Sequence, residues 1–165
     1  MSLTSGGPLQ IERDETEAER VDRNFNELLG ELRIALPGVQ VLFAFLLTVP
    51  FAQGFAKLTS FERYLYLIVL LLTALASALL IAPTAYHRVL FRKGFKPDIL
   101  FFANRAAMTG LAVLALAMSG AILLITHVLF SAEAAIVVGV VSGIVFAALW
   151  YLIPWARGRG SEPDL

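Results

Sequence analysis

The sequence predicts an all-α integral membrane protein: four transmembrane helices in an antiparallel bundle, preceded by an amphipathic cytoplasmic helix. Three observations carry that expectation. Of 165 residues, 58% are apolar, and the mean hydropathy is +0.76, above the range usual for soluble chains. Four intervals contain no Asp, Glu, Lys or Arg: Ile34 to Ala56, Tyr64 to His87, Ala106 to Ala132 and Ala134 to Ala156. Each exceeds the roughly 20 residues that carry a helix across the hydrocarbon core. The basic residues, finally, are segregated along the chain.

Met1 to Gln10 is small and polar, and is expected to be disordered. Residues 11–36 read as an amphipathic juxtamembrane helix, with Phe25, Leu28, Leu29, Leu32 and Leu36 on one stripe. The segment up to Arg33 carries eight acidic residues and four Arg before any long apolar run. A secretory signal would show a basic start and a short apolar core, so the first apolar run is expected to remain as a span. Pro37 and Gly38 mark an expected bend from surface helix to span, because Pro37 cannot donate to the carbonyl of Arg33.

The transmembrane domain is expected over residues 37–156, with spans at about 37–56, 64–86, 106–129 and 134–155, and a disordered tail at 157–165. Barrel strands are not expected, since strict alternation is missing. Gly94 is a plausible cap of the second helix, and Pro97 suits the first turn of the third. Those two helices then run from about Phe61 to Lys93 and from Pro97 to Leu129, longer than the lipid core requires. Pro50 and Pro83 are expected to kink spans one and two. Tyr64, Tyr66, Trp150, Tyr151 and Trp155 fit aromatic belts at the span ends.

Eleven basic residues fall in the amino-terminal segment, the second loop and the tail; only Lys57 and Arg63 lie on the other side. Both termini and the second loop are therefore read as cytoplasmic. The amino-terminal helix is acidic and the second loop basic, so the helix is expected to dock on that loop. Glu27, Glu31, Arg33, His87, Arg88, Asn104 and Arg105 share one depth band there. They form a candidate cytoplasmic gate or docking cluster, the plainer reading being a ring of interfacial anchors and ion pairs.

Within the spans the polar inventory is short. No Asp or Glu falls inside the four intervals, which weighs against an autonomous proton or sodium carrier. Gln40 is a primary amide that must find a partner in span one. His127 is the only titratable side chain well inside a span, near its outer end, and reads as an interfacial histidine or a proton-responsive gate. Gly139 and Gly143 form a GxxxG step for close helix approach, within one chain or between copies. With no Cys and two His, no metal centre or cofactor is expected. Nucleotide, zinc-protease and serine-hydrolase motifs are missing, so no enzyme activity is expected.

The stretch NELLGELRIALPGVQVLFAFLLTVPF, followed by AYHRVLFR and ANR, resembles an uncharacterised family of small bacterial four-span membrane proteins, grouped as a domain of unknown function. Some members carry the name sodium:proton antiporter. The resemblance implies a bacterial plasma membrane location and brings no site residues with it.

Two functions compete. One is an ion transport or channel protein in which a pore forms between subunits of a homo-oligomer. The other is a non-transporting accessory or scaffold subunit that engages an unidentified membrane partner through its cytoplasmic helix and loop. The lipid bilayer is the expected surrounding of either, and no nucleic-acid partner is expected.

Overall fold

The computed structural model describes residues 17–90 and 97–159. Its elements are α1 (Glu17–Thr48), α2 (Ser60–Leu90), α3 (Pro97–Leu129), α4 (Ala132–Ala147), a π-helical turn (Ala148–Leu152) and α5 (Ile153–Arg159). No strand occurs among the described residues. The amino-terminal sixteen residues, including the start of the expected amphipathic helix, the loop with Arg92, Lys93, Gly94 and Lys96, and the last six residues lie outside the described part, as do the expectations placed on them. Four helices are long and apolar enough to cross a membrane. They alternate in direction, so the bundle has a terminal end, where α1 begins and α5 ends, and a turn end, where α1 meets α2 and α3 meets α4.

The centre of the molecule is the α2–α3 hairpin. On α2 the buried positions are Glu62, Tyr66, Val69, Thr73, Ala76, Leu80 and Pro83. On α3 they include Ala103, Ala107, Gly110, Leu114, Ala117 and Leu124. Spacings of four and three alternate, the seam of left-handed helix pairing. Small residues let the backbones approach closely. A Cβ on Gly110 would sit 2.9 Å from Leu80 Cγ, and one on Gly120 would sit 2.8 Å from Val69 Cγ2.

α1 is one helix where a surface helix and a span joined at Pro37-Gly38 are expected. Phe25, Leu32, Val39 and Leu46 are buried at seven-residue intervals, with Leu28, Leu36, Leu42 and Val49 half-buried beside them. This seam runs through the Pro37 region without a change of register. Pro37 is exposed, opposite the seam. It removes the single bond to Arg33, and packing on both sides holds the helix together. The other break is as expected: α1 stops at Thr48, and Pro50 lies in a following 3₁₀ turn (Val49–Phe51).

α4 lies along α3 and makes no backbone-level contact with α1 or α2 among the described residues. It is apolar all round, so its sequence marks no preferred face. Ser131 caps it by accepting from Ala134 N at 3.3 Å. Ala135 and Gly139 are its buried residues. A Cβ on Gly139 would meet Leu123 Cβ at 3.0 Å, and one on Gly143 would meet Ser119 Oγ at 3.5 Å. The GxxxG step is thus used inside the chain, against α3. Near its end Pro154 cannot donate to the Trp150 carbonyl and crowds it; the wider π turn relieves that clash. Tyr151 O–H donates to the Met108 carbonyl at 2.7 Å, tying this turn to α3.

Candidate functional site

At the terminal end, Phe25 of α1 is fully buried against Ala103 of α3, with Leu28, Leu29 and Leu100 around them. This apolar contact seats the amino-terminal part of α1 on α3. Above it opens a cleft of about 450 Å³, lined by Asn24, Glu27, Leu28, Glu31, Leu100, Phe101 and Asn104. Helical spacing explains the lining. Residues 24, 27, 28 and 31 repeat at three- and four-residue steps on α1, as do 100, 101 and 104 on α3. Two carboxylates and two amides therefore stand over a floor of Leu and Phe.

Of the seven residues expected to share this depth, Glu27, Glu31 and Asn104 do meet in the cleft. Arg105 stands beside it, its guanidinium carbon 5.5 Å from the Phe101 ring centre, a cation–π contact. Arg33 and Arg88 are exposed and do not line the cleft. The His87 side chain lies outside the described part. Glu27 accepts from Arg23 at 3.4 Å, an exposed i,i+4 pair. Glu31 has no ion pair among the described residues. Among the described residues, the Phe25–Ala103 contact seats the acidic part of α1 on α3.

The turn end holds a polar assembly that charge-free intervals conceal. Thr59 N–H donates to Glu62 Oε2 at 2.7 Å, and Thr59 Oγ1 donates to the same oxygen at 2.9 Å. Glu62 N–H in turn donates to Thr59 Oγ1 at 3.3 Å. This is a capping box, the reciprocal closure of a helix start by a Thr and a Glu three residues on. The other carboxylate oxygen of Glu62 lies 3.1 Å from His127 Nδ1 at the far end of α3. With the carboxylate ionised, Nδ1 carries the proton and donates. Glu62 is 7% exposed, so the expectation of no carboxylate at the spans needs correction at this boundary. His127 is a clasp between α2 and α3, and its ring lies 5.4 Å from that of Phe61. The Thr59-x-x-Glu62 spacing ahead of an apolar run was the available signal.

Two neighbours reinforce this end. Arg63 donates to the Ala56 carbonyl at 2.9 Å. Tyr66 is buried in the core, not in an aromatic belt, and its hydroxyl donates to the Leu46 carbonyl at 2.8 Å. That bond joins α2 to α1 just before α1 ends. Beside it, α1 and α3 leave an apolar crevice of about 390 Å³ between Leu42, Phe45 and Leu46 on one wall and Leu124, Ile125 and Val128 on the other.

The hydroxyls along the long apolar helices are largely closed on their own helices. Thr73, Ser77, Ser119, Thr126 and Ser142 each donate to the carbonyl four residues back, at 2.7 to 2.9 Å. Gln53 lies exposed in the α1–α2 connection, and Thr109 is exposed on α3. Gln40 is different. It lies on an exposed flank of α1, about 100° round from Val39, with no hydrogen bond to any described residue.

The fold and its polar groups define a small four-helix protein whose helices have membrane-spanning length and apolarity. The chain belongs to a family of unknown function, DUF6328, whose model matches residues 14–154. No curated protein and no solved structure matches it.

Proposed function

We propose that the protein is a non-transporting accessory subunit of the plasma membrane that receives a cationic, partly apolar segment of a partner at its terminal end. The observation that carries this reading is the cleft between α1 and α3. Its carboxylates suit a Lys or Arg head, and its Leu and Phe floor suits the aliphatic stem. The excess of basic residues around that end supports a cytoplasmic position for it. The hydroxyls that return to their own helices offer little to an ion crossing within one chain. Glu62, the one carboxylate buried in these helices among the described residues, is engaged by Thr59 and His127 at the turn end. Sodium–proton exchange within a single chain would need a carboxylate deeper in the lipid.

A transport reading keeps one foothold: a path between copies, lined by the outward face of α1 with Gln40. Liposomes holding the purified protein separate the two. The expected result is no flux of sodium, potassium, protons or chloride above protein-free liposomes. In nanodiscs, a Lys- and Leu-containing amphipathic peptide should bind the parent chain and lose that binding in a Glu27→Gln, Glu31→Gln variant. Flux that falls on Gln40→Leu, with peptide binding unaffected by the Glu changes, would overturn the accessory reading.

A further inference from the structure

We infer that the outward face of α1 is an interface with a second copy of this chain, closed by a pair of Gln40 amides across a two-fold axis. The placement of Gln40 carries the argument. It lies seven residues beyond Arg33, about 10 Å along the helix into the apolar part of the span. A primary amide there brings two N–H donors and a carbonyl acceptor, and lipid satisfies none of them. Within its own chain it has no hydrogen bond to a described residue, whereas Thr73, Ser77, Ser119, Thr126 and Ser142 are each satisfied by their own helix.

The amide also specifies its partner. Copies of one chain insert in one orientation, so a two-fold axis between them runs along the membrane normal. Equivalent residues then stand at equal depth, and Gln40 faces the neighbour's Gln40. An amide donates and accepts, so it is complementary to itself; a carboxylate or a Lys would repel its own copy. Two amides can therefore bond across the axis without any further group.

The surrounding surface permits the approach. With the seam at Phe25, Leu32, Val39 and Leu46, the positions directly opposite are Gly30, Pro37 and Ala44, again seven apart and all exposed. A Cβ on Gly30 would meet nothing within 4 Å, whereas those on Gly110, Gly120 and Gly139 would press into neighbouring side chains. Ile34 and Val41, 83% and 69% exposed, border this line of small residues. α4, the other outer helix, offers no counterpart: its glycines already pack on α3, and its outward face is Val and Ile.

The absence of native Cys makes the test clean. Ala44→Cys in liposomes should form a disulfide-linked dimer on mild oxidation, while Val140→Cys on the outward face of α4 should stay monomeric. Gln40→Leu, which suits lipid better and leaves the seam intact, should keep the parent Tm. In single-molecule photobleaching over a range of protein-to-lipid ratios, it should weaken dimerisation about three- to tenfold, the effect of an interhelical amide bond in a membrane. A parent chain that is monomeric at every ratio overturns the proposal. So does cross-linking at Val140→Cys in place of Ala44→Cys, or an unchanged dimer in Gln40→Leu. The inference does not rest on the cleft: the Glu27→Gln, Glu31→Gln variant should dimerise like the parent.

Discussion

The two ends of the bundle use polar residues in opposite ways. At the turn end, Thr59, Glu62 and His127 satisfy one another, Arg63 reaches the Ala56 carbonyl, and Tyr66 reaches that of Leu46. At the terminal end, Asn24, Glu31 and Asn104 line an open cleft, and the local ion pair of Arg23 with Glu27 is exposed. Among the described residues, apolar packing through Phe25 and Ala103 joins the helices there. The difference separates the end where polar groups hold the fold from the end where they line an open cleft. A closed polar cluster fixes helices in place; polar groups over an apolar seat are available to something else.

The largest expected effect at the turn end comes from Glu62→Ala. It removes half of the capping box and leaves His127 without its carboxylate. Thermal unfolding in nanodiscs should show the greatest drop in Tm of the changes considered, exceeding that of Thr59→Ala. Thr59→Ala alone removes the cap and should cost about 1 kcal/mol; a Tm equal to the parent's would show that the box contributes nothing. Tyr66→Phe deletes the hydroxyl but keeps the ring against Phe55, and should cost roughly 1 kcal/mol from the lost bond to Leu46. A larger loss would mean that the bond also holds the end of α1 in place, which protease sensitivity of the α1–α2 connection would report.

The smallest effects belong to the terminal end. A double-mutant cycle on Arg23→Ala and Glu27→Ala should give a coupling within about 0.5 kcal/mol, as for exposed pairs generally. The equivalent cycle on Glu62→Gln and His127→Ala should show a distinctly larger coupling. Equal couplings in the two cycles would erase the contrast between the ends.

Much of this architecture is legible in the sequence because lipid imposes simple rules. Charge-free length located all four helices long and apolar enough to cross a membrane, and Pro97 with the last apolar turn bounded α3 at Pro97–Leu129. The same criterion hid the clasp. Cutting the second span at Arg63 left Glu62 outside, so its burial and its reach to His127 went unseen, although Thr59-x-x-Glu62 could have been recognised. Pro37 suggested a joint, yet the seven-residue series from Phe25 to Leu46 continues through it. Followed far enough, that series also puts Gln40 on an exposed flank of α1, beside the line of Pro37 and Ala44. The direction of Gly139 was not readable, since α4 is apolar on every side and only the position of Leu123 selects a face. In the candidate cleft, Glu27, Glu31 and Asn104 were legible from their depth. Asn24, Leu100 and Phe101 were not, because the rotation of α1 about its axis depends on where Phe25 seats.

The unbroken course of α1 has a mechanical consequence. Its 32 residues make a strut of about 48 Å. One end carries a wall of the cleft, and the other carries Leu42, Phe45 and Leu46, a wall of the apolar crevice. The strut has one weakened link, the missing bond at Pro37, between the two. A ligand seated against Glu27 and Glu31, as proposed, would load this strut on one side of Pro37, while the crevice wall lies on the other.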